Sequence, residues 1–386
     1  AFSLDQEAPL AFDGVDPDDI RLGVAVKLTP EQNKKVKELK NEFPSLAKML
    51  SYLTPSEKAK VYRNILQSQE KKTEEKKNEW LKKALTIFEH IPSDKEYAAV
   101  AFAGRAKKGW YLNSAKALID VFGVNDAPRF ASLLAALSPQ TSVEMNLENT
   151  LKVWTAWIKD GRPSDEKSII TILARSVRGA TIQPVTIDGV RKPGKGKPGL
   201  ATMFGRAEKE FNDTVTYKGI PIRAEKQDVP NKDEKAWVFV GGAETLSVPE
   251  LREATNGLQE KTVKELSVLE AWQNNTIRAL DTSVHPTEIL LSGPKVDSFM
   301  WNLRGFVNEI TSDTHMANFA FMQQTMFGGK ITITDPGKGP GYLAANSAMR
   351  SAAKILTKQT GEVWTPAEIQ ETIWSWVKVL SEKREA

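Results

Sequence analysis

A chain of 386 residues with 40% apolar content exceeds one average domain and can bury a sizeable core. It holds no cysteine, which excludes disulfides, thiolate nucleophiles, cysteine-ligated zinc and iron–sulfur clusters. The three histidines, His90, His285 and His315, lack metal-ligand spacing, and a net charge of +4 permits a polyanion partner without demanding one. No metal and no cofactor is expected.

Residues 1–28 carry Asp13, Asp16, Asp18 and Asp19 without a sustained period and read as an acidic, extended arm. A basic start followed by an apolar run is missing there, so no signal peptide is expected. No stretch approaches 18 consecutive apolar residues, so no membrane span is expected either. From 29 to about 90 the pattern is helical and heavily charged. Thr29-Pro30-Glu31 and Thr54-Pro55-Ser56-Glu57 are helix starts, a capping Thr followed by a Pro at the first helical position. The Lys- and Glu-rich run 69–83 reads as a solvated helical face, with a phosphate or partner surface as the alternative.

Between 97 and 157 the chain is rich in Ala, Leu and Trp, and both 114–119 and 129–137 have apolar residues at helical spacing. From 177 to 240 the character changes to β-branched alternations at 181–183, 185–187, 215–217 and 237–240, separated by Gly and Pro. Asp188-Gly189 is a tight-turn signal between two short strands. Within this β-rich segment, 191–197 forms a basic loop in which Arg191, Lys192, Lys195 and Lys197 are candidate phosphate contacts, or simply a solubilising hairpin tip. Helices resume at Val248-Pro249-Glu250 and continue until Phe327-Gly328-Gly329. Residues 335–341 read as a loop without the spacing of a phosphate-binding loop. Two helices close the sequence, one ending before Gly361 and one from Thr365-Pro366 to about 382. Trp154, Trp157, Trp374 and Trp376 lie in apolar helical patterns and read as core.

The chemistry-bearing stretch is Ile289-Leu290-Leu291-Ser292-Gly293-Pro294-Lys295, followed by an amphipathic helix over 297–306 and then Ser312-Asp313-Thr314-His315. It reads as helix, tight turn, helix, loop, and an Asp at a helix start. Gly293 and the first free amides of the next helix can approach a phosphate closely. Asp313 is either a helix N-cap or a reactive carboxylate, and sequence alone leaves both open.

The G-x-K at 293–295, with D-T-H at 313–315, resembles the hairpin lysine and aspartate of the endonuclease III-like branch of helix-hairpin-helix DNA glycosylases. Lys295 and Asp313 stand 18 positions apart. Leu137-Ser138-Pro139-Gln140-Thr141-Ser142 is similar to the L-S-x-Q-x-x-D segment of that fold, whose Gln sits near the extruded base. The arrangement of Gly109-Trp110-Tyr111, these two motifs and Gln370-Glu371-Thr372-Ile373-Trp374-Ser375-Trp376 also looks like a set of phage proteins. The hairpin lacks the family's first Gly, Pro294 removes an amide, Val143 stands where the closing Asp is expected, and the four-cysteine cluster is missing.

The resemblance implies a mainly α, two-lobed glycosylase-like core. Its parts are a charged helical extension at 1–95, a first core part at 96–176, a β-rich basic insertion at 177–245, and a second core part at 246–386. It implies a DNA partner, excision of a base with or without a lyase step, Asp313 and Lys295 as catalytic residues, and Gln140, Ser292 and Gly293 at the DNA. The alternatives are a phage base-hypermodification transferase on the same fold and a non-catalytic DNA-binding or virion-associated protein. The N-terminal extension would then serve a phage or host protein partner. The expected location is cytoplasmic, in the host if the chain is viral, with the virion as the alternative.

Overall fold

A computed structural model describes residues 28–70, 79–177, 186–187, 190–191, 197–228, 235–259, 262, 268, 270–322 and 340–384. The acidic arm, most of the run 69–83, the alternation at 181–183, Lys192, Lys195 and the break at Phe327 lie outside the described residues. The chain is mainly helical and divides into two compact units, one formed by Ala1–Ala135 with His285–Ala386, the other by Ala136–Val284.

The discontinuous unit begins with α1 (Pro30–Glu42), α2 (Pro44–Ser51), α3 (Pro55–Glu70), α4 (Glu79–His90), α5 (Asp94–Ala103) and α6 (Trp110–Ala136). The local signals behave as expected. Thr29 and Gln32 close a reciprocal capping box at α1, and Thr54 and Glu57 do the same at α3. The long α6 bends at Gly123, whose φ of 74° and ψ of 165° separate the two helical runs read from sequence.

The later part of this unit adds α12 (Pro294–Leu303), α13 (Thr314–Phe319), α14 (Pro340–Thr360) and α15 (Pro366–Arg384). α14 starts at Pro340, inside the stretch read as a loop, because a Pro is favoured at the first helical position. Its residues 341–353 are all buried, and α2, α4, α5 and α15 pack against it. Small side chains at Ala344, Ala345, Ala348, Ala352 and Ala353 let those helices approach closely.

Burial on every side obliges the polar residues of α14 to find protein partners. The Ser347 hydroxyl donates to the Met49 carbonyl at 3.0 Å and the Ser351 hydroxyl to Asp94 at 2.7 Å. The Asn346 amide donates to Glu57 at 2.7 Å, and Arg350 pairs with Glu57 at 3.5 Å while also donating to the Asn308 carbonyl. Glu57 therefore caps α3 and neutralises a buried arginine with one carboxylate. Burial pushes its carboxyl up, but Arg350, the Thr54 amide and Asn346 together hold it below the ordinary carboxylate range.

The continuous unit contains α7 (Val143–Lys159), α8 (Glu166–Val177), α9 (Lys197–Phe211), α10 (Val248–Ala254) and α11 (Glu270–Leu280). Three separate antiparallel ladders join them: β1 (Thr186–Ile187) with β2 (Val190–Arg191), β3 (Thr216–Tyr217) with β4 (Ile220–Pro221), and β5 (Arg223–Asp228) with β6 (Lys235–Val240). Ile187 pairs with Val190, and Asp188-Gly189, read as a tight turn, lies outside the described residues. The β-rich reading of 177–240 needs correction at one place, because Lys197–Phe211 is a 15-residue helix between the ladders. Leu200, Ala201, Phe204 and Ala207 recur at helical spacing, form its buried face, and share a core with Ile222, Ala224 and Phe239 of the strands. Gly205 faces the Trp237 ring, where a Cβ would stand 2.2 Å from ring carbons. Trp154 and Trp157 are core as read, whereas Trp376 of the other unit is 42% exposed.

Among the described residues no helix is long and apolar enough to cross a membrane. Because the folded Glu57 binds its proton more weakly than in the unfolded chain, its stabilisation is complete above about pH 4.5 and is lost as pH falls through the depressed value. Glu57→Gln is expected to lower the unfolding free energy at neutral pH by about 3–5 kcal/mol, since it strands a buried guanidinium. Urea denaturation across pH should show that gap closing on acidification.

Candidate functional site

The candidate site is built in the discontinuous unit, at the junction of α12, α13, α15 and the start of α6. α12 opens at Gly293, which is exposed, has φ 98°, and would meet nothing within 4 Å if it carried a Cβ. Ser292 is exposed as well. The arm before the turn is not the helix expected from sequence. Only Pro286–Glu288 is helical, as one 3-10 turn whose Thr287 amide donates to His285 Nδ1 at 3.4 Å. Asp297 reaches back from the first turn of α12 to accept the Leu291 amide at 3.1 Å and fixes the turn. Lys295 is half-buried and makes no hydrogen bond or ion pair among the described residues.

Asn302, fully buried near the end of α12, organises the loop that leads to Asp313. Its amide donates to the Phe306 and Glu309 carbonyls, both at 3.0 Å, and its oxygen accepts the Thr311 hydroxyl at 2.6 Å. Trp301 lies on the other face of α12 and is core, as its position relative to Lys295 and Phe299 predicts. Arg304 is also buried, donating to the Pro128 and Pro286 carbonyls and to Ser132. Burial pushes its pKa down to about 9, partly opposed by Asp297.

One hydroxyl from α14 joins the two ends of this element. Tyr342 donates to the Ile310 carbonyl at 2.7 Å, lies 3.4 Å from the Pro294 carbonyl, and accepts the Ser312 amide at 3.4 Å. The chain neighbours of Lys295 and of Asp313 thus meet at the same atom.

Asp313 is the N-cap of α13. Its Oδ1 accepts the His315 and Met316 amides at 2.9 and 3.3 Å, while Oδ2 accepts the Trp374 indole N–H at 2.9 Å. The residue stays half-exposed. The His315 ring stands edge-on to Trp374 with centroids 5.7 Å apart, and its buried Nδ1 has no hydrogen-bond partner among the described residues. Burial raises the Tyr111 hydroxyl well above its ordinary value; a hydrogen bond with Thr311 opposes this, and the Glu371 and Asp313 carboxylates add to it. Tyr111 is therefore a neutral donor, bonded to Gln370 at 2.8 Å and within electrostatic reach of the Asp313 carboxylate.

Glu371 secures that arrangement. Its carboxylate accepts the amides of Gly109, Trp110 and Tyr111, the last two at 3.1 and 3.0 Å, at the positive end of α6. Burial nonetheless pushes its carboxyl up to about 7, with the three amides working in the opposite direction. Phe299 on α12 meets the Tyr111 ring edge-on at 6.3 Å, and Phe299 lies one turn beyond Lys295.

The other sequence candidates lie elsewhere. Gln140 belongs to the continuous unit, where it is exposed and holds a left-handed φ of 62°. The turn before it is pinned by the Trp272 indole donating to the Pro139 carbonyl at 3.0 Å. Arg191 ends β2 and Lys197 begins α9, so the basic segment read as one loop spans the end of a strand and the start of a helix, while Lys192 and Lys195 are outside the described residues. Tyr111, Gln370, Glu371 and Trp374 were legible only as motifs without a role, and Trp374 as core. Nothing local marks partners about 260 positions apart.

Among the described residues no group of three His, Asp or Glu side chains is placed to hold a metal ion. Neither a family model, nor a curated protein, nor a solved structure matches the chain. Asn302→Ala would remove a partner from the Phe306 and Glu309 carbonyls and from the Thr311 hydroxyl and open a hole in a fully buried position, at an expected cost of about 1–3 kcal/mol. Hydrogen exchange should quicken selectively over 304–313 while α15 stays protected.

Proposed function

We propose that this chain acts on DNA as a divergent helix-hairpin-helix glycosylase, extruding a base and cleaving its N-glycosidic bond with Asp313 as the carboxylate beneath the sugar. The observation that carries the reading is the Asp313 carboxylate itself. Three N–H donors fix it while it remains half-exposed, within electrostatic reach of the neutral hydroxyl of Tyr111. The common anchoring of the Lys295 and Asp313 ends on Tyr342 supports a shared site.

Loss of a base develops positive charge at C1′, which a fixed carboxylate stabilises without reorganising. The C1′–N bond breaks, the base leaves with the electron pair and takes up a proton, and a nucleophile closes on C1′. That nucleophile is water oriented by Asp313, or the deprotonated amine of Lys295, whose attack gives a Schiff base and permits strand cleavage. Gly293 and Ser292, exposed at the start of α12, are suited to a backbone phosphate.

A second reading rests on one observation. Both oxygens of Asp313 already have internal partners, as in a plain N-cap, and this favours a non-catalytic DNA-binding protein. Asp313→Asn is expected to abolish base release, followed by mass spectrometry of phage and host DNA, while leaving DNA binding intact. If release persists on a verified substrate, Asp313 is not the catalytic carboxylate. Lys295→Gln separates the two nucleophiles, because borohydride trapping and excision are lost together where the amine attacks, whereas excision survives where water does.

The basic segment is assigned to DNA backbone contact in the same reading. Replacing Arg191, Lys192, Lys195 and Lys197 by Gln should weaken binding and flatten its salt dependence by roughly one unit of log–log slope per lost phosphate contact. A slope identical to the parent's returns the segment to a solubilising role.

A further inference from the structure

A cleft in the discontinuous unit lies away from Asp313 and is independent of how that residue is read. It encloses 460 Å³ between α2, α14 and the start of α15, a volume usual for a small-molecule site. Arg350, Lys354 and Lys358 succeed one another at intervals of four along α14 and so present one cationic face to it. Tyr52 and Trp364 line it, as does Asn308, whose carbonyl accepts from Arg350, and no acidic residue lines it.

The charges there are not equally satisfied. Arg350 is committed through its terminal nitrogens to Glu57 and the Asn308 carbonyl, yet its Nε has no acceptor among the described residues. Trp364, 4% exposed, has an indole N–H in the same condition. Two buried N–H donors without acceptors thus belong to side chains that line one cleft, a costly arrangement in a dry site. Lys354 and Lys358 are exposed and form no ion pair among the described residues; Lys354 stands 5.0 Å over the Tyr52 ring. The nearby acids Glu362 and Glu368 are engaged by Lys108, at 3.8 and 3.9 Å.

Clustered exposed cations beside an aromatic ring, with no acid between them, share one complementary chemistry. We propose that this cleft binds the phosphate of a ligand of mononucleotide size, with Lys354 and Lys358 on the phosphate oxygens and Tyr52 against a planar group. The phosphate could be supplied as a free phosphomonoester or as a phosphodiester of single-stranded DNA.

Calorimetric titration of the full chain with inorganic phosphate, thymidine 5′-monophosphate and an oligothymidylate lacking terminal phosphate tests this. The comparison is with the Lys354→Gln/Lys358→Gln double variant, whose exposed positions leave the core untouched; an unchanged melting temperature checks the fold. Binding of the mononucleotide, weakened about tenfold or more in the variant, is the expected result for a free phosphomonoester. Binding of the oligonucleotide alone, weakened to the same degree, assigns the phosphate to DNA. Affinities equal in parent and variant, or no binding of any probe at millimolar concentration, overturn the proposal.

Discussion

A helix buried all round its first three turns leaves its polar side chains no recourse to water, and this constraint governs the discontinuous unit. α14 carries Asn346, Ser347, Arg350 and Ser351 into the core, where Asn346 and Arg350 converge on Glu57 while Ser347 and Ser351 fix Met49 and Asp94. The partners are specific, so the helices around α14 are held in register as well as in contact. Hydrophobic burial supplies the driving force there, but it is non-directional. The polar contacts select one arrangement among those the alanines would tolerate.

The same helix reaches the candidate site through Tyr342. Its hydroxyl meets the backbone on both sides of the element running from Lys295 to Asp313, so the separation of those ends is set by the core and not by a free loop. Asn302 does the remaining work from inside the element. Reactive groups held by buried supports of this kind have little geometry to reorganise when charge develops nearby. The support is structural fact; the chemistry assigned to it is the proposal.

What could be read from sequence was whatever is decided locally. The residues Thr29, Thr54 and Thr365 marked helix starts because a cap needs only its own first turn. Asp313 was legible as an N-cap for the same reason. The helix Lys197–Phe211 was hidden by the Gly and Pro residues before it, although its apolar residues keep helical spacing. The hairpin's first arm was over-read, since Pro286 begins a single 3-10 turn. The clamp of Glu371 on the amides of Gly109–Tyr111 and the bond from Trp374 to Asp313 were not legible at all. Each joins residues that only the folded chain brings together.

The discontinuity of the first unit has a consequence for how the protein is made. Residues 1–135 leave the ribosome before α14 and α15 exist, and must wait while 136–284 is synthesised. At ~5–20 residues per second that interval is on the order of 10 s, long against the elementary steps of helix formation and collapse. Throughout it the faces of α2, α4 and α5 destined for α14 have no cover, and the amides at the start of α6 lack the Glu371 carboxylate. The nascent chain therefore carries these apolar faces without their native cover for the whole of that interval.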